Sequence, residues 1–221
     1  MSLAIFDLDN TLIAGDSDYL WGRFLVARGI VDGDEYERLN ERFFQDYQEG
    51  CLDIGAFLRF ALRPLSENAR ADLLAWREVF IAEIIEPVIL PKAIDLVEDH
   101  RRRGDLLLII TATNAFVTAP IASRLGVPHL IATTPEEIDG RFTGDVAGIP
   151  SFREGKVTRL EQWLRETGRD LEGSHFYSDS HNDLPLLERV THPVAIDPDP
   201  ILRERAMARG WPIRSLREPP A

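Results

Sequence analysis

Two short runs in this chain, 3–6 (Leu-Ala-Ile-Phe) and 106–110 (Leu-Leu-Leu-Ile-Ile), contain no polar residue and no in–out alternation, and both stop abruptly at polar residues, Asp7 and Thr111. A strand that is apolar on both faces has to be covered on both faces, which is the situation of a parallel sheet between layers of helices. The remainder of the C-terminal part keeps the same rhythm. Helical spans at 92–103, 115–125, 155–167, 183–189 and 200–209 alternate with strands at 105–111, 129–133, 174–178 and 193–197. Such alternation predicts a three-layer, Rossmann-like α/β core. Residues 135–148 break the rhythm, and their turn pairs Asp139-Gly140 and Thr143-Gly144 predict a small β-hairpin.

Between the first strand and this alternation lies a stretch of about 70 residues with helical periodicity and no strand-like run. Tyr36, Leu39, Phe43, Phe44 and Tyr47 recur at helical spacing, as do Leu73, Trp76, Phe80, Ile81 and Ile84. Breaks near 29–33, 49–53 and 63–66 divide the stretch into about four helices, and Pro87 and Pro91 close it. The expected organisation is an α/β core made of residues 1–14 and 88–221, with an inserted α-helical cap at 15–87. The tail 217–221 is expected to be loose.

Charge and cysteine content narrow the function classes. With 37 acidic and 25 basic residues the formal charge is −12. Such a surface repels nucleic acid and anionic lipid, so neither is expected as a partner. Cys51 is the sole cysteine, which rules out an intrachain disulfide and fits a reducing compartment. The N-terminal residues show no basic region and no long apolar stretch. Neither a signal peptide nor a membrane span is expected, and the expected location is the cytoplasm.

Ligands of open α/β sheets bind beyond the carboxyl ends of the strands. There the first strand delivers Asp7-Leu8-Asp9-Asn10-Thr11, the second Thr111-Ala112-Thr113-Asn114, and the 174–178 strand Asp179-Ser180-His181-Asn182-Asp183; Lys156 follows Gly155 at a helix start. This set fits phosphoryl transfer. Asp7 and Asp9, two apart on an extended chain, can point the same way, one as nucleophile and the other as acid–base. Asp179 and Asp183 add hard oxygen ligands suited to Mg²⁺. Asp7, Asp179 and Asp183 carry three negative charges, which Mg²⁺ and Lys156 together balance, so a phosphate dianion could then enter.

The whole set resembles the haloacid-dehalogenase superfamily, whose four motifs appear in order: D-x-D-x-T at 7–11, a strand-end Thr111, the helix-start Lys156, and S-D-S-H-N-D at 178–183. That resemblance implies that Asp7 is nucleophile and metal ligand, and that Asp9 is the general acid–base and binds metal through its carbonyl. It implies that Thr111, Ala112 and Lys156 hold the phosphate and that Asn182 contacts substrate or phosphate. Asp179 would bind Mg²⁺, and Asp183 would bind it directly or through water. A helical insert after the first motif resembles the subgroup of phosphoserine and histidinol-phosphate phosphatases. The implied activity is Mg²⁺-dependent hydrolysis of a small phosphomonoester through a phospho-aspartate. A phosphotransferase using the same phospho-enzyme and a catalytically silent binding module are the rival readings.

Departures bear on the substrate. Phosphoserine phosphatases carry Ser-Gly-Gly where this chain has Thr111-Ala112-Thr113, and glycine where it has Ser178. Their cap glutamate corresponds by spacing to the shorter Asp16. As a carboxylate at the cap entrance, Asp16 with Asp18 would favour an amine-bearing ester, histidinol phosphate slightly ahead of phosphoserine. Asp16 fits equally well as the N-cap of the helix that follows it. Thr111 could also cap the next helix, His181 reads as a loop histidine near solvent, and Arg59 and Arg63 read as a solvated helix face.

Overall fold

In the computed structural model, which describes residues 2–218, the first strand β1 (Leu3–Phe6) is an inner strand of a six-stranded sheet, and its four residues are buried on both faces. Four helices follow before the chain returns to the sheet: α1 (Ser17–Ala27), α2 (Gly33–Gln48), α3 (Ile54–Glu67) and α4 (Arg70–Phe80). A π turn at Ile81–Ile85 and a 3₁₀ turn at Glu86–Val88 lead out of α4. The core then runs α5 (Pro91–Arg102), β2 (Leu106–Asn114), α6 (Ala115–Arg124) and β3 (His129–Thr133), with the hairpin β4 (Pro135–Ile138) and β5 (Arg141–Val146) after it. The last part comprises α7 (Glu154–Thr167), β6 (His175–Ser178), a 3₁₀ turn at His181–Asp183, α8 (Leu184–Leu187), β7 (His192–Ile196), α9 (Pro200–Arg209) and β8 (Ile213–Arg214).

All six strands are parallel, in the order β3-β2-β1-β6-β7-β8. From β1 the chain builds outward first through β2 and β3, then on the other side through β6, β7 and β8. The order therefore reverses between β1 and β6, and a crevice opens beyond their carboxyl ends, the usual ligand position in such sheets. Asp7 and Asp179 follow directly on those two strands.

The helical insert shares its apolar core with the sheet. Trp21 of α1 stacks on Phe24 (5.4 Å between centroids), meets Phe80 edge-on (5.1 Å) and reaches Phe116 of α6 (6.1 Å). Burying each such ring contributes about 1.5–3 kcal/mol. Two backbone bonds tie the chain together where the insert leaves and rejoins the core: Ala14 N–H donates to Val88 C=O (2.7 Å) and Leu90 N–H to Leu12 C=O (3.1 Å).

Several sequence expectations are corrected. No break occurs at 63–66, because α3 continues through the buried Pro64 to Glu67, and the Asn68 side-chain amide donates to the Pro64 carbonyl (2.8 Å). Thr143-Gly144 is not a turn. It lies inside β5 beside a register shift, with Gly144 at φ +92° where the strand passes Ser66 of α3. The turn is at Asp139-Gly140, both with positive φ. The 183–189 helix is a 3₁₀ turn followed by the four-residue α8, and the two-residue β8 was not anticipated. At the tail, Arg217 is held by Asp197 (3.2 Å) and the Asn10 carbonyl (3.4 Å), whereas 219–221 lie outside the described residues. No helix among the described residues is long and apolar enough to cross a membrane.

Candidate active site

The buried Asp7 extends β1 beyond the sheet, its N–H donating to the Tyr177 carbonyl of β6 (2.9 Å). Across the crevice, α7 begins close to the preceding loop because residue 155 is glycine; a Cβ there would collide with the Pro150 carbonyl. That approach aims Lys156 inward. Its Nζ, with the side chain 2% exposed, lies 2.7 Å from Asp7 Oδ1 and 2.7 Å from Asp183 Oδ1. Ser178 Oγ donates to Asp183 Oδ2 (2.7 Å), so the serine that stands where phosphoserine phosphatases have glycine orients this carboxylate. Burial pushes the Asp7 carboxyl up to about 8, against the pull of Lys156 and with the help of Asp183 and Asp9. For Lys156, burial works to lower the pKa, but Asp183 and Asp7 outweigh it and raise it. Lys156 is thus a charged, buried cation rather than a solvated side chain.

Asp9 is held by three donors. Ser17 N–H, in the first turn of α1, donates to Oδ1 (2.7 Å); Thr113 Oγ1 (2.9 Å) and Thr111 Oγ1 (3.2 Å) donate to Oδ2. A helix N-terminus favours a carboxylate at that position. Thr111 and Thr113 are two apart on β2, so alternation puts both hydroxyls on the side that faces Asp9. Thr111 does not cap α6; Asn114 does, accepting Val117 N–H (3.2 Å). Sequence reasoning passed over Thr113 and Ser17 as Asp9 partners, although the paired hydroxyls of Thr-Ala-Thr were a usable signal. On the other flank, Thr11 Oγ1 donates to Asp179 Oδ1 (3.1 Å) and accepts the Asp179 N–H (3.1 Å), joining the first motif to the fourth.

Above Asp7 and Asp9 lies a cavity of about 40 Å³, room for about one water. Asp16 and Asp18 at the start of α1 border it, with Ala112 and Thr113 of β2. Tyr19, Phe43, Phe44, Tyr47 and Phe57 supply an aromatic wall from the helical insert, with Asn40, Leu52 and Ile54. No lysine or arginine among the described residues lines it. Asp16 is the N-cap of α1, its Oδ1 accepting Tyr19 N–H (2.8 Å), and the residue also borders the cavity. Burial and then Asp9 push the Asp16 carboxyl up to about 7; burial, Asp16 and Asp9 hold Asp18 well above its ordinary value. This acidic group is short of positive charge.

Asn182 engages protein at both ends: Oδ1 accepts Arg153 Nε (2.9 Å), and Nδ2 donates to Tyr47 C=O (3.2 Å) and Ser180 Oγ (3.2 Å). His181 is anchored by Asp199, with Nδ1 2.8 Å from Oδ2. Arg59 and Arg63 are exposed and stay outside the cavity lining.

By the motif resemblance, the oxygen donors that would meet a divalent cation are the carboxylates of Asp7 and Asp179 and the carbonyl of Asp9. Burial, Asp7 and Asp183 raise Asp179 well above its ordinary pKa, and Lys156 is the one lysine paired with this carboxylate group among the described residues. No three His, Cys, Asp or Glu side chains among the described residues converge closely enough to hold a metal alone. A set of two carboxylates and a carbonyl does not require three, and the excess negative charge suits a hard cation. Asp183 accepts from Lys156 and Ser178, and a carboxylate with about four acceptor positions could still meet a cation directly or through water.

Comparison with known proteins places this geometry in context. The sequence pattern of the haloacid dehalogenase-like hydrolases matches residues 4–188. The chain is 47% identical over 220 residues to a histidinol-phosphatase of Neisseria meningitidis serogroup C (strain 8013), covering 98% of this chain and 99% of that protein. A protein of unknown function from Bordetella pertussis Tohama I has the same structure with a TM-score of 0.92, at 49% identity over 98% of this chain and 99% of its own. A phosphoserine phosphatase solved as an analogue of its phospho-aspartyl intermediate superposes with a TM-score of 0.71 at 21% identity, covering 98% of this chain and 94% of that one, which shows a shared fold.

Proposed function

The chain belongs to the haloacid dehalogenase-like hydrolases and is a phosphatase, and on that premise we propose that it hydrolyses histidinol phosphate through a phospho-aspartate on Asp7, with Mg²⁺ as cofactor. The observation that carries the substrate is the cavity lining: an acidic side at Asp16 and Asp18, an aromatic wall, and no lysine or arginine among the described residues. Histidinol phosphate offers that lining a cationic amine and an imidazole that takes a proton near neutral pH, and carries no carboxylate. Phosphoserine would bring a carboxylate with no cationic partner in the cavity, and an unpartnered buried charge is costly. The name of the 47%-identical relative supports the same choice.

Asp7 Oδ1 is engaged by Lys156, and Oδ2 accepts no hydrogen bond among the described residues, so Oδ2 is the oxygen suited to attack phosphorus. As the new O–P bond forms, the bond to the ester oxygen breaks and Asp9 gives that oxygen a proton. Asp9 then takes a proton from water as the water attacks the phospho-aspartate, releasing phosphate and restoring Asp7. Proton transfer of this kind contributes about 10²–10⁴-fold, and the bonds from Ser17, Thr111 and Thr113 hold Asp9 in place for both steps. Asp7, Asp179 and the Asp9 carbonyl would hold Mg²⁺, which supplies charge stabilisation for the transferring phosphoryl group. Lys156 pairs with both Asp7 and Asp183 and offsets one of their two negative charges. Residues 15–87 act as a cap over the site carried by 1–14 and 88–221, closing on bound ester and opening for exchange.

The test is kcat/KM on histidinol phosphate, O-phosphoserine and p-nitrophenyl phosphate with Mg²⁺. Histidinol phosphate should exceed phosphoserine at least tenfold; equal values, or a phosphoserine preference, would overturn the substrate assignment.

A further inference from the structure

Arg153 adopts a backbone conformation that residues with a side chain rarely take, φ +49° and ψ −121°, three residues ahead of Lys156. Glycine would hold it without strain, so what the arginine side chain does there needs explaining. Its guanidinium lies over the Phe152 ring (5.0 Å), Nε donates to Asn182 Oδ1 (2.9 Å), and Nη2 donates to the Gly50 carbonyl. Asn182 in turn donates to the Tyr47 carbonyl (3.2 Å). Two core side chains thus grip two carbonyls at the C-terminal end of α2 and the turn beyond it, where cations are favoured; the Tyr47 carbonyl also accepts the Gly50 N–H (3.1 Å). That turn sits closely on the core. Gly50 has φ +72°, and a Cβ there would run into the His181 ring, itself fixed by Asp199.

What this grip controls follows from the residues α2 carries. Phe44 and Tyr47, one turn apart, border the small cavity over Asp7 and Asp9 and also a second cavity of about 450 Å³ beside Asn10, Asp179 and Arg217. They form the partition between the two. We propose that Arg153 is a positioning residue, a clasp that holds the end of α2 against the core so that Phe44 and Tyr47 keep the reaction cavity separate from the second. Release of the clasp joins the two cavities into the route by which ester enters and phosphate leaves. The strained backbone is the cost of aiming a forked donor at Asn182 and Gly50 from a position that must also start α7 and place Lys156. The clasp requires a phosphatase site under the helical cap and is indifferent to which ester the enzyme prefers.

The decisive variants are Arg153→Gly, which keeps the backbone conformation and removes the guanidinium, and Arg153→Lys, which keeps the charge but not the fork. Amide hydrogen exchange of Glu49, Gly50 and Cys51, whose N–H groups are bonded within the end of α2, is measured without substrate. Turnover is measured on p-nitrophenyl phosphate, so that failure of the substrate assignment cannot be confused with failure of the clasp. A lost charge-assisted hydrogen bond corresponds to about 10–150-fold. Both variants should therefore exchange these amides at least tenfold faster and lose at least tenfold in kcat/KM, mainly through KM. Unchanged exchange and kcat/KM in Arg153→Gly would overturn the proposal. So would full recovery in Arg153→Lys, which would reduce the role of Arg153 to its charge; that variant also decides the matter if Arg153→Gly fails to fold.

Discussion

Asp16→Asn removes one negative charge from the cavity and little else. Asp16 Oδ1 caps α1 through the Tyr19 N–H at 2.8 Å, and asparagine caps about as well as aspartate. Stability should therefore hold, whereas Asp16→Ala should lose about 1 kcal/mol with the cap. In the free protein the charge at this position is unwelcome, because burial and Asp9 raise the carboxyl to about 7. A cationic substrate group reverses that, and losing a charged hydrogen bond costs about 1.5–3 kcal/mol, or roughly 10–150-fold. The assay is kcat/KM for histidinol phosphate beside p-nitrophenyl phosphate, with Tm as the control for folding. Asp16→Asn should lose 10–150-fold on the first and little on the second. The wild-type preference for the cationic ester should also fade as pH falls through about 7, because the charged carboxylate is the form that binds. Equal losses on both substrates with an unchanged Tm would refute the reasoning and leave Asp16 as a helix cap alone.

Removing divalent cations with EDTA should abolish turnover and Mg²⁺ should restore it; full activity in a thoroughly metal-free preparation would contradict the charge argument. Metal-free stability should fall with rising pH. Asp7 goes from an ordinary 3.8 to about 8 on folding, so the folded state holds the extra proton, and the stability present below 3.8 is lost as pH rises toward 8. The slope is at most about 1.4 kcal/mol per pH unit for this group, read as a lower Tm at pH 8 than at pH 5.5, with Mg²⁺ recovering more at the higher pH. A metal-free Tm that rises toward pH 8 would count against it. Asp9→Asn should bind substrate yet lose about 10²–10⁴-fold in kcat, and near-normal turnover would remove Asp9 from proton transfer.

The parallel core was legible because its strands are apolar on both faces and end in polar residues, as at Phe6-Asp7 and Ile110-Thr111. The chemistry was legible for a related reason: strand ends of one sheet must share one edge, so Asp7, Thr111 and Asp179 meet wherever the strands pair. What depended on packing was not readable. Pro64 marks a helix end by local rules, yet α3 runs through it. Gly144 suggests a turn, but its positive φ serves a strand irregularity against Ser66. The bonds from Thr111 and Thr113 to Asp9 join residues about a hundred positions apart, and which acceptor the Thr-Ala-Thr hydroxyls meet is set by how β1 pairs with β2. Arg153 gave no local signal, since its partners Asn182 and Gly50 are distant in sequence and meet it only when the helical insert lies on the core.

The covalent route through Asp7 is tested most directly by acid-quenching the enzyme during turnover with Mg²⁺ and locating phosphoryl label by peptide mass spectrometry. The label should lie on the peptide containing Asp7, be lost in Asp7→Asn, and be absent without divalent cation. Turnover that never labels Asp7, or an Asp7→Asn enzyme with near-normal kcat, would contradict the account.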